Sequence, residues 1–93
     1  MEKDRRYDAL KVLIDTGHIK HFNEIFNVIP KSLLRQDLKI NNTRITRLID
    51  HPEQLTLDES VTIANLIGID VEKIIRLVLD QFMFNKSKAK AKK

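Results

Sequence analysis

Residues 31–49, Lys-Ser-Leu-Leu-Arg-Gln-Asp-Leu-Lys-Ile-Asn-Asn-Thr-Arg-Ile-Thr-Arg-Leu-Ile, constrain the fold more than any other stretch of the chain. They read as two short helices, over about 31–38 and 42–49, with a tight break between them. Leu34, Leu38, Ile40, Ile45, Leu48 and Ile49 form the apolar set. In the second helix Ile45, Leu48 and Ile49 follow an i, i+3, i+4 spacing and so share one face. Arg44 and Arg47 are three apart and share another face, rotated towards solvent. This is the layout of a helix-turn-helix, in which one helix packs and the next presents its start.

The flanking chain reads as further helices. Residues 3–15 carry Tyr7, Leu10, Leu13 and Ile14 on one broad face, and Gly17 stops that helix, since Gly takes the left-handed conformation readily. A helix is expected over about 19–28, with Ile19, Phe22, Ile25, Phe26 and Ile29 at helical spacing. Pro30 cannot continue it but suits the first turn of the next helix. Beyond the 31–49 pair, Asp50-His51-Pro52 breaks the chain, and the residue before Pro should be extended. Thr56 and Glu59 have the spacing of a capping box, which starts a helix over about 57–67 ended by Gly68. Asp70 then caps a last helix over about 71–84. No stretch alternates with period two for long enough to be a strand.

That last helix is unusually apolar: nine of its fourteen residues, 71–84, are hydrophobic. Val71, Ile75, Val78 and Phe82 make one stripe, and Ile74 and Leu77 widen it beyond an ordinary core-facing stripe. Either it is the central helix of the core, or one face forms a two-fold dimer interface, for which Ile74, Val78 and Phe82 are the candidates. The Lys-rich tail at 85–93 has little to bury and is expected to be flexible or frayed, leaving a single helical domain over 1–84.

Charge is unevenly placed. Residues 1–30 are neutral, 31–47 carry +4, 48–80 carry −5 and 81–93 carry +5. Positive charge is therefore confined to the helix pair and the tail, as in a local nucleic-acid footprint. The absence of Cys excludes disulfides and thiolate metal sites. The charged start is not a signal peptide, and no apolar run approaches the ~18 residues of a membrane span. A cytoplasmic protein without a membrane partner is expected. His18 and His21 have a spacing open to a metal pair but lack a third ligand, so no metal site is expected. No Gly-rich phosphate loop and no supported Ser/His/Asp arrangement is present, so no catalytic residue, cofactor or enzymatic activity is expected.

With the helix order laid out, the chain resembles the lambda repressor-like (XRE) helix-turn-helix family over roughly residues 19–75. Ile63-Ala64-Asn65-Leu66-Ile67-Gly68-Ile69-Asp70-Val71-Glu72-Lys73-Ile74 is similar to that family's closing pattern of an apolar helix, a Gly stop, a cap and the next helix. Thr43-Arg44-Ile45-Thr46-Arg47-Leu48 is similar to its recognition-helix signature. Three positions depart from it. Arg35 stands where the family has a small residue, Lys39 where it has Gly, and Lys31 where a Gln is common. The resemblance implies an all-α, compact five-helix domain with an added N-terminal helix, binding double-stranded DNA as a small transcriptional regulator; a homodimer is expected from the apolar last helix.

In that arrangement the start of the 42–49 helix enters the major groove, about 12 Å wide. Asn41 or Asn42 caps it. Asn42, Thr43, Arg44, Thr46 and Arg47 are the candidates for base edges and nearby phosphates, because Arg pairs bidentately with guanine and Asn with adenine. Lys31, Ser32 and Lys39 would hold phosphates and set the register. The alternative class is a helical protein-interaction module that uses the apolar C-terminal helix without touching DNA.

Overall fold

Several helix boundaries follow from local chemistry. The computed structural model describes residues 4–91, with side-chain surroundings through Lys88. These residues form helices α1 (Arg6–Asp15), α2 (Lys31–Leu38), α3 (Asn42–Asp50), α4 (Leu57–Ile67) and α5 (Val71–Ala91). Short 3-10 segments lie at Phe22–Asn27 and Pro52–Gln54, and no strand occurs among the described residues. Gly17, at φ +81, closes α1: its N–H donates to the Ile14 carbonyl and that of His18 to Leu13. Thr56 and Glu59 form the expected capping box, and Gly68, at φ +88, ends α4. Residues 4 and 5 precede α1, which therefore starts later than the periodicity suggested.

The segment between α1 and α2 corrects the sequence reading. Instead of an α-helix over 19–28, the chain is extended at His21 and then winds as a 3-10 helix from Phe22 to Asn27. The Glu24 carboxylate accepts the backbone N–H groups of Lys20 (2.7 Å) and His21 (2.9 Å), which fixes the entry. Those two hydrogen bonds hold its pKa below the ordinary value. Phe22 and Ile25, three apart, align on the inner side of a three-residue turn, and both are buried. Pro30 is the N-cap of α2 and not its first residue.

The core draws on every α-helix: Tyr7 and Leu10 of α1, Leu34 of α2, Ile45 of α3, Ile63 and Ile67 of α4, and Ile74 and Leu77 of α5. Full burial of each such aliphatic side chain contributes about 1.5–3 kcal/mol. Tyr7 also donates its hydroxyl to Asp37 Oδ2 at 2.6 Å, tying α1 to α2. Burial, and then the Asp37 carboxylate, push the Tyr7 pKa well above its usual value.

Helix α5 faces the core through Ile74, Leu77 and Gln81. Ile74 is fully buried within the monomer, so it is a core residue and cannot belong to a two-fold interface. Val78 packs against the core from its edge, and Phe82 is half-buried under Lys86, whose Nζ lies 5.1 Å from the ring centroid. The apolar residues left in solvent are Ile75 (42% exposed), Leu79 (45%), Met83 (56%) and Phe84 (49%). The helix runs on to Ala91, through most of the segment expected to be flexible; residues 1–3, 92 and 93 lie outside the described residues.

Candidate nucleic-acid interface

The helix pair of residues 31–50 is built around a left-handed corner. Lys39, at φ +59 and ψ +43, ends α2, and its N–H donates to the Gln36 carbonyl. It is the one non-Gly residue with positive φ among those described. Ile40 N–H reaches back to the Arg35 carbonyl at 3.1 Å. Asn41 then caps α3, its Oδ1 accepting the Arg44 N–H at 2.8 Å. The cap leaves Asn42 as the first residue of α3, so the turn between the helices is only Lys39–Asn41.

Helix α3 has two distinct faces. Ile45 and Leu48 are buried, and Ile49 is half-buried. Asn42, Thr43, Thr46 and Arg47 are exposed, and with Asp50 and His51 they line an open depression along the outer side of the helix. The sequence reading named the first four as candidate contacts to base edges and phosphates. It passed over Asp50 and His51, which read as a chain break before Pro52; their signal was the continued helical spacing of Thr43, Arg47 and Asp50. Lys31 and Ser32 stand exposed on the first turn of α2, and Lys39 is exposed at the corner; none of the three lines the depression.

Arg44 points elsewhere. Its Nη2 lies 2.6 Å from Glu59 Oε1, its Nε lies 3.2 Å from Glu59 Oε2, and Nη2 also donates to the Gln54 carbonyl at 3.1 Å. This fork-on-fork pair is 29% exposed on the arginine side and 16% on the glutamate side. Glu59 Oε1 also accepts the Thr56 N–H at 2.9 Å. Burial pushes the Glu59 carboxyl up, but Arg44 and the Thr56 amide outweigh it and hold the pKa below the ordinary value. The same pair raises Arg44.

Arg35 of α2 is half-buried with its Nε lacking a hydrogen-bond partner. The two histidines of the possible metal pair have other neighbours. His18 Nδ1 lies 2.7 Å from Thr16 Oγ1, and the His21 ring lies 5.1 Å from that of Phe84. Among the described residues no cluster of three or more metal-ligating side chains occurs, and no helix is long and apolar enough to cross a membrane.

Comparison with protein-family models, curated proteins and solved structures finds no match to this chain. What it does must therefore be argued from its own surfaces.

Proposed function

We propose that this chain is a cytoplasmic, sequence-specific reader of double-stranded DNA, a small transcriptional regulator of lambda repressor-like helix-turn-helix design rather than an enzyme. The observation that carries this reading is the α2–α3 unit: a three-residue corner, a capped second helix, and an outer face of exposed hydrogen-bonding side chains backed by buried Ile45 and Leu48. A helix so mounted can lie in the major groove. Asn42, Thr43, Thr46 and Arg47 then meet base edges, while Lys31, Ser32 and Lys39 meet phosphates and set the register.

The exposed Ile75, Leu79 and Met83, spaced by four on α5, supply the two-fold homodimer contact in this reading. The same apolar face is the observation that favours the second reading, a protein-interaction module without DNA contact.

The test is selection from random duplex DNA at about 150 mM salt, with the Asn42→Ala/Arg47→Ala double variant alongside. An enriched motif that the variant loses supports the DNA reading, and a palindromic motif supports the dimer. Absence of any enrichment removes that reading. The Leu79→Asp variant, followed by sedimentation, then asks whether the α5 face holds a second copy or another protein.

A further inference from the structure

We infer that Arg44 is the positioning residue of this interface: through Glu59 it holds α3 at a fixed angle to α4, and it leaves sequence reading to its outward neighbours. The inference rests on the DNA reading above for its consequence, but its geometry stands independently. Helix α3 packs chiefly on α2 and on the Pro52–Gln54 turn, far more than on α4. The Arg44 side chain bridges that gap. Its guanidinium meets both oxygens of Glu59 on the first turn of α4 and the carbonyl of Gln54 in the connecting turn.

Two helix starts converge on this one residue. The Arg44 backbone N–H is the group that Asn41 caps at the start of α3. Its side chain joins the carboxylate that closes the capping box at the start of α4, where Glu59 N–H also donates to Thr56 Oγ1 at 3.0 Å. A planar fork on a carboxylate fixes direction as well as distance, which a lysine ammonium cannot do. For Arg44 to reach a base edge, it would have to abandon three hydrogen bonds and leave a largely buried carboxylate with the Thr56 amide but no countercharge. The outward face of α3 holds Arg47 free for that task.

The experiment is a double-mutant cycle on Arg44→Gln and Glu59→Gln in the full chain, measured well below the unfolding temperature of either variant. Gln at 59 keeps an oxygen for the Thr56 amide and loses the charge. The probe is the duplex that the unaltered protein enriches from a random pool. Each single variant should weaken binding about tenfold, and the double variant should lose no more than either single, because coupled partners are not additive. The enriched motif should stay the same in both, and backbone amides of α3 should exchange faster. Arg44→Lys, with a point charge in place of the fork, should fall between and covers the case in which Arg44→Gln fails to fold.

Additive losses, with preference relaxed at one base position in Arg44→Gln, would overturn the inference. So would tighter binding by Glu59→Gln, which would mean that a released Arg44 goes to DNA. If the unaltered protein enriches no duplex, the DNA reading falls and α3 exchange decides alone. Faster exchange in both single variants keeps Arg44 as the residue that positions α3; unchanged exchange removes it.

Discussion

Lys39 shows how one residue can satisfy a backbone requirement at a cost. The corner between α2 and α3 needs a left-handed residue, and Lys39 supplies it at φ +59. For a residue with a Cβ this conformation costs roughly 1–2 kcal/mol, which Gly avoids while paying about 0.5–1 kcal/mol in unfolded-state entropy. Lys39→Gly should therefore stabilise the fold by about 0.5–1 kcal/mol, a rise of several degrees in Tm for a domain of this size. A lower Tm in a thermal melt would refute the account. The left-handed conformation was not read from the sequence, where Lys39 stood only as a departure from the resembled family's Gly, because a lysine gives no local signal for positive φ. Nor was the partner of Arg44, since Arg44 and Glu59 are fifteen positions apart and only their side chains meeting in the folded chain join them. That pair also predicts a response to acid. Glu59 has a lowered pKa when folded, so its contribution is complete above the ordinary carboxylate value of 4.5 and fades as pH falls through the lowered value. The Tm difference between the unaltered chain and Glu59→Gln should thus be largest near neutral pH and shrink once the pH falls below the ordinary carboxylate value of 4.5. A difference that does not change with pH would show that the charge contributes nothing.

At the scale of elements, α2, α3 and α4 were legible because caps, breakers and apolar spacing agree on their limits. The Phe22–Asn27 segment was not. Its apolar residues fit a 3.6-residue period nearly as well as a three-residue one, and the 3-10 winding is set by tertiary partners: Asn23 N–H donates to Gln81 Oε1 of α5 at 3.2 Å. The facing of α5 was equally hidden. A helix apolar on most sides does not announce its inner side, and the residue that helps to set it is polar. Gln81 is buried, accepts from Asn23 and donates from Nε2 to Asn85 Oδ1 at 2.9 Å. Gln81→Leu should cost about 1–2 kcal/mol although it adds apolar surface, because the Asn23 amide loses its acceptor where Asn23 Oδ1 already has no partner. Denaturant unfolding measures this, and a Gln81→Leu variant as stable as the unaltered chain would mean that α5 is oriented by its apolar residues alone.

Over the whole molecule, charge counted along the chain and charge placed in space are different quantities. The +4 of residues 31–47 includes Arg44, which the fold neutralises with Glu59 from the acidic segment 48–80. Three exposed cations remain on the α2–α3 surface, Lys31, Lys39 and Arg47, with Asp50 beside Arg47. If these three each neutralise one phosphate, log K should fall with log salt at a slope of about −3. The tail lysines would add to this, so the measurement belongs on a chain with Lys86, Lys88, Lys90, Lys92 and Lys93 replaced by Gln, compared with the unaltered one. On that background Lys31→Ala and Lys39→Ala should each reduce the slope by about one and weaken all duplexes alike, whereas Arg47→Ala should also change which sequences are preferred. A slope that vanishes with the tail and ignores Lys31 and Lys39 would place DNA attraction in the tail alone. The α2–α3 surface would then be free for a protein partner.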